Sequence, residues 1–156
     1  MHQNNVMAEY LQSLDIQANP LIMCPMPESK ALWSDDETLN ETEASWYWSQ
    51  IGSLNYFAMT TRYDIAHAVS RLSQCAANHT RASYTALVGV IKYLINTPNH
   101  NLIGKVVTRD KLEIYSDSDH ARVKPHTMKS HTGSMIILNG APIQWISKKA
   151  NREYSI

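Results

Sequence analysis

The stretch LEIYSDSDHA, residues 112–121, carries two carboxylates, Asp117 and Asp119, two positions apart at the end of an apolar run. Side chains alternate across a strand, so acids at i and i+2 share one face of it. Carboxylate oxygens suit hard divalent cations, and metal-assisted chemistry needs several of them gathered round the ion. One strand supplies too few, so partners must come from the rest of the chain. His120, His126 and His131 fall within 12 positions of one another. No cysteine lies near them, and a metal site needs supporting groups that fix its ligands, so they read as surface-loop histidines. Trp46, Trp48 and Trp145 are side chains that can stack on bases. Trp46 and Trp145 fall in phase with apolar stripes, which assigns them to the core instead. Cys24 and Cys75 are the only cysteines. That number excludes a disulfide framework and a cysteine-rich zinc site, and predicts two buried free thiols.

The elements that must position these residues change character along the chain. VMAEYLQSLDI (6–16) spaces Val6, Tyr10, Leu11 and Leu14 as one helical face. Residues 20–42, with Pro20, Pro25 and Pro27 and then an acidic run, show no period and predict a linker over a surface. Beyond Thr42 and Glu43, Trp46, Ile51, Leu54 and Phe57 share a stripe. Residues 61–74 place Ile65, Ala68, Val69 and Leu72 on one face, with Thr61 as the expected cap. Residues 82–100 repeat the device with Ser83 as cap, Leu87, Val90, Ile91 and Leu94 inside, and Pro98 past the stop. After residue 104 the period drops to 2, and KLEIYSD, TGSMIILNG and APIQWISKK predict strands near 111–117, 132–139 and 142–149. Asn139-Gly140 predicts a tight hairpin between the last two, because both residues tolerate positive φ.

The 156 residues are 44% hydrophobic, enough for a core in one domain or two small halves. The zero net charge hides an asymmetry. Residues 1–50 hold eight acids against Lys30, a balance of −7, and residues 51–156 carry the compensating +7. The bases there are spread out, so charge alone is weak evidence for phosphate contact. The sequence has no run of about 18 apolar residues, and MHQNNVMAEY has neither the basic nor the apolar region of a signal. The expectation is an intracellular protein, in cytoplasm or nucleus, with no membrane span. No signature of a particular oligomeric state is present.

Four ordered stretches, IGSLNYFAMTTRYDIAHAVSRLSQ, ALVGVIKYLINTPNHNL, IYSDSDHA and SHTGSMIILNGAPIQWISKK, resemble the C-terminal part of copia-type LTR retrotransposon Pol polyproteins. AEYLQSLDIQANPLIMCPMP is similar to the segment behind the polymerase palm, so the resemblance spans nearly the whole chain. It implies an α+β chain: a reverse transcriptase thumb/connection-like helical region over 1–103, then the truncated N-terminal part of a ribonuclease H-like domain over 104–156. The latter is expected to be an antiparallel sheet of about three strands with no helix following. By the same resemblance Asp117 matches the first metal-binding carboxylate of ribonuclease H, and Asp119 is the lesser candidate. That class cleaves RNA with two divalent ions, magnesium or manganese, held by several acids. The family's second carboxylate, a glutamate opening the next helix, falls after the stretch matching SKKANREYSI, and Glu153 comes too early in the pattern to replace it. The polymerase Tyr-x-Asp-Asp motif does not occur.

Tyr63 stands where the family generally has proline, and Val88-Gly89 where it tends to have a basic pair. Arg122 to Met128 lacks the usual glycine and acids. An apolar strand ending in Asp-x-Asp also resembles the nucleophile loop of haloacid-dehalogenase-type phosphotransferases. Those need a parallel sheet with helical crossovers, whereas 39 residues follow Asp117 here and contain a hairpin. The reading is therefore a Pol fragment with no catalytic activity and no cofactor of its own, Asp117 being a vestigial and incomplete metal ligand. The alternative is a non-catalytic RNA/DNA-hybrid-binding module retained by the host, with Arg62, Arg71, Lys92, Lys129, Lys148 and Lys149 as nucleic-acid contacts. A sheet lacking its covering helices is expected to be marginal beside stable helices at 61–76 and 82–97.

Overall fold

The computed structural model describes residues 3–26, 32, 37–100, 102–103, 108–119 and 131–149. Among them are helices α1 (Gln3–Gln12), α2 (Glu41–Thr60), α3 (Ala66–Cys75) and α4 (Arg81–Asn96), and strands β1 (Leu112–Asp119), β2 (His131–Leu138) and β3 (Ala141–Lys149). The chain is α+β, and it divides into two compact units, Met1–His100 and Asn101–Ile156. The expectation that no helix follows β3 lies outside the described residues.

In the first unit α2 begins where the Asn40 side chain accepts the Glu43 amide (2.9 Å) and the Glu43 carboxylate accepts the Asn40 amide (3.2 Å). This reciprocal cap satisfies two donors that a helix start leaves unpaired. Tyr47, Leu54 and Phe57 of α2 then meet Val69 and Leu72 of α3 and Leu87, Ile91 and Leu94 of α4, all buried. Each such side chain contributes about 1.5–3 kcal/mol by leaving water. The apolar spacing anticipated for α3 and α4 is the spacing that packs. Tyr47, not Trp46, takes the inner place on α2 and donates its hydroxyl to the Leu72 carbonyl (2.8 Å). Trp46 is half-buried against Tyr84, ring centroids 5.0 Å apart, and Trp48 is 53% exposed.

The helix starts differ from the expected ones. Thr61 ends α2, and a 3-10 turn, Tyr63–Ile65, precedes α3. Thr80 caps α4, its hydroxyl accepting the Ser83 amide, while Ser83 supplies the reciprocal bond to the Thr80 amide. The supposed surface linker is anchored to the helices. Leu32 and Leu39 are buried, Thr38 pairs with Thr80 in an isolated antiparallel bridge, and the Arg81 amide donates to the Glu37 carbonyl (3.0 Å). The two thiols also part company. Cys75 is buried, and burial pushes it up to about 11 against the pull of the Arg71 charge, whereas Cys24 is exposed.

In the second unit the strands run in the order β1-β2-β3, all antiparallel. Asn139 and Gly140 take φ of 53° and 82°, the left-handed pair that a tight two-residue hairpin requires. Asn139 also fixes β1. Its backbone amide donates to the Lys111 carbonyl, its side-chain oxygen accepts the Lys111 amide (2.8 Å), and its side-chain nitrogen donates to Asp110 (3.0 Å). One face carries the rows Leu112–Leu138–Ala141 and Ile114–Ile136–Gln144, the other Tyr115–Met135–Trp145. A register shift beside Ile136/Ile137 leaves Ile143 as an extra residue in β3. No described strand residue is buried.

Candidate functional site

Asp117 lies in β1 and is exposed, opposite Gly133 of β2, which in turn lies opposite Ser147 of β3. Its Oδ1 accepts the Ser118 amide (2.8 Å), a local turnback that uses one carboxylate oxygen within the strand. Asp119 occupies the register position opposite His131, and His131 that opposite Lys149. Among the described residues no group of three or more His, Cys, Asp or Glu could hold a metal ion. One exposed carboxylate with an oxygen already engaged does not compose a magnesium or manganese site. His120, His126 and Lys129 lie outside the described residues, as does Glu153.

Of the basic candidates, Arg62, Arg71 and Lys92 belong to the first unit and Lys148 and Lys149 to the second. Arg62 is 1% exposed, and the chain turns it inward rather than toward a phosphate. Its Nε and one terminal nitrogen donate to the Asp64 carboxylate (3.0 and 2.8 Å), and its terminal nitrogens also reach the Thr97 carbonyl (2.9 Å) and hydroxyl (2.7 Å). Its guanidinium stacks over Tyr93, 5.6 Å from the ring centroid, and Met7 of α1 completes the enclosure. Burial alone would raise the Asp64 carboxyl. The Arg62 hydrogen bonds and charge, with the Tyr93 hydroxyl (2.9 Å), outweigh it and hold Asp64 below its ordinary value. This network joins the α2–α3 turn to the end of α4, a structural role that counting charges does not reveal. The local signal was the Arg-x-Asp spacing at 62–64.

Arg71 of α3 is half-buried, and its Nε is enclosed with no hydrogen-bond partner among the described residues. Lys92 is half-buried on α4. Lys148 and Lys149 of β3 point to opposite faces, Lys148 exposed and Lys149 half-buried. Arg81, which was not singled out, makes a two-pronged pair with Glu43 (2.6 and 3.1 Å) and stacks on Tyr84. Its hydrogen bond lowers the Glu43 carboxyl. A shallow, open depression lies at the start of α2, lined by Glu41, Thr42, Ser45, Trp46 and Ser49. Among the described residues no helix is long and apolar enough to cross a membrane.

No protein-family profile and no solved structure matches the chain. Curated relatives do. It is similar to the retrovirus-related Pol polyprotein from transposon RE1 of Arabidopsis thaliana, 38% identical over 136 residues, which cover 86% of this chain and 9% of that protein. It is similar to the secreted RxLR effector protein 161 of Plasmopara viticola, 36% identical over 103 residues, covering 66% of this chain and 72% of the effector. It is also similar to a putative transposon Ty5-1 protein of Saccharomyces cerevisiae, 29% identical over 136 residues, covering 86% of this chain and 43% of that protein. The chain therefore spans less than a tenth of the RE1 polyprotein it matches. With 29–38% identity to such proteins over 64–86% of its length, this chain belongs to the Pol polyprotein family of copia-type retrotransposons.

Proposed function

We propose that this chain is the stretch of a copia-type Pol polyprotein that connects the thumb and connection region of the reverse transcriptase to the first three strands of its ribonuclease H domain, and that alone it catalyses neither reaction. The parent activities would be RNA-directed DNA synthesis and cleavage of RNA in a hybrid, both dependent on magnesium or manganese. The similarity to the RE1 polyprotein over 86% of the chain supports the placement. The observation that supports the absence of catalysis is that Asp117 is an exposed carboxylate and that, among the described residues, no group of three or more His, Cys, Asp or Glu could hold a metal ion. Two-ion hydrolysis needs several acids to hold the ions and orient the water.

The test is incubation of the 156-residue chain with a labelled RNA/DNA hybrid and with a primed template plus nucleotides, in magnesium or manganese. Neither product should form. Hybrid cleavage that disappears in Asp117→Asn would overturn the reading. The alternative, a host-retained module that binds RNA/DNA hybrid without cutting it, stands second. Arg62 is enclosed, and Arg71, Lys92 and Lys149 are half-buried. Hybrid binding whose affinity falls steeply with salt would promote it, since each phosphate contact releases counterions.

A further inference from the structure

We propose that Asn139-Gly140 is a self-modification site: the Gly140 amide nitrogen displaces ammonia from the Asn139 side chain when the corner holding that side chain opens, and the product loosens the attachment of β1. Asn139 is the only asparagine in the sequence followed by glycine. Asparagine is a thermolabile residue. Glycine has no Cβ, so nothing shields its amide from the carboxamide before it.

The reaction needs only water. The Gly140 nitrogen, its proton lost to solvent, forms a bond to Asn139 Cγ. The Cγ–Nδ2 bond breaks, and Nδ2 leaves as ammonia with a proton regained from solvent. The cyclic imide then takes up one water molecule. Opening at Cγ leaves aspartate, whereas opening at the main-chain carbonyl leaves isoaspartate, whose backbone runs through Cβ and Cγ and is longer by a methylene. Nothing is oxidised or reduced.

The fold brakes the first step and feels the last. Asn139 is half-buried, and its carboxamide is tied at both ends to the residues leading into β1. Its Oδ1 accepts the Lys111 amide (2.8 Å), and its Nδ2 donates to the Asp110 carboxylate (3.0 Å). Attack requires the carboxamide to turn away from both, so in the folded chain the rate follows the opening of this corner. Gly140 is exposed, so water reaches the site once it opens. The product cannot remake what was broken. Aspartate keeps an acceptor for the Lys111 amide but sets an oxygen where Nδ2 donated, and the tie to Asp110 becomes a repulsion between like charges. Isoaspartate also lengthens a two-residue turn whose φ values are 53° and 82°. The change is one-way, and it falls on the end of the strand that carries Asp117.

The test is incubation of the full chain in mildly alkaline buffer, folded and in urea, with peptide mass spectrometry of each asparagine and enzymatic methyl labelling of isoaspartate. In urea Asn139 should convert ahead of every other asparagine, and folding should slow it roughly tenfold or more. Asp110→Ala should speed conversion in the folded chain roughly tenfold, the worth of one hydrogen bond to a charged group, and leave the rate in urea unchanged. Asn139→Asp keeps the main chain and a residue tolerant of positive φ. Its β1 amides should exchange roughly tenfold faster than those of wild type, with the β2–β3 hairpin and the helices unchanged. Another asparagine converting first in urea overturns the chemistry. A folded rate equal to that in urea, or one indifferent to Asp110→Ala, overturns the brake. Exchange of β1 unmoved by Asn139→Asp, or loss spread over the whole sheet, overturns the loosening of β1.

Discussion

Replacing Arg62 by methionine removes the guanidinium but keeps most of the side chain's length and apolar contact, so it isolates the charge. The change leaves the Asp64 carboxylate, 19% exposed, with the Tyr93 hydroxyl as its remaining side-chain partner, and removes the guanidinium donors to the Thr97 carbonyl and hydroxyl. Breaking a buried pair from one side costs about 3–5 kcal/mol, and the residual exposure of Asp64 favours the lower end, about 3 kcal/mol. At urea slopes of about 1–3 kcal/mol per molar, the helical circular-dichroism midpoint should fall by roughly 1–3 M. Adding Asp64→Asn should recover part of that loss, because the uncompensated charge goes with it.

The pH dependence has a definite sign. Asp64 is held below its ordinary value in the folded chain, so its contribution is present above the unfolded value of about 3.9 and disappears as pH falls through the lower folded one. Without Arg62, burial dominates and raises the folded value, so acid should narrow the gap between variant and wild type. A loss below about 1 kcal/mol at neutral pH, or a gap that does not change with acid, would refute the argument.

Thr80→Ala should destabilise the first unit by about 1–2 kcal/mol, read in the same urea transition, because it removes the α4 cap. Gly89→Ala should stabilise it by up to about 1 kcal/mol, since an added Cβ meets nothing within 4 Å and the helix gains propensity. In hydrogen exchange the amides of α3 and α4 should outlast those of β1, β2 and β3. The helices enclose the buried core and no described strand residue is buried. Equal protection would show that the strands draw support from elsewhere.

What the sequence disclosed followed the strength of its periodicities. Ile65, Ala68, Val69 and Leu72 recur at helical spacing and pack as that spacing requires, and Asn139-Gly140 marked its hairpin because few other pairs take two positive φ values. The caps were misplaced by a few residues because Thr80 and Ser83 hold one another reciprocally, so either reads as the start. In the aromatic run at 46–48 every residue is large, and only packing against α3 selects Tyr47 for the interior. Leu32 gave no warning of its burial, because the short apolar run Ala31-Leu32-Trp33 ahead of the acidic stretch shows no period. The strand position of Asp117 was legible from alternation. The direction of Arg62 was not, because sequence gives a charge without saying whether a carboxylate and a carbonyl wait inside to receive it.

The corner at Asn139 matters for how the sheet is specified. In most half-buried sheets a slip of one residue is forbidden by the pattern itself, because it would throw the apolar set into water. Here apolar residues line both faces, so the alternation discriminates poorly between the native alignment and its neighbours. The alignment must be written somewhere else, and Asn139 is where a single side chain reads two consecutive residues, Asp110 and Lys111, by chemical identity and by backbone position. The three-stranded sheet thus takes its reading frame from one corner, as a zip takes it from its first tooth. A substitution there would leave composition and strand propensity intact while erasing the address.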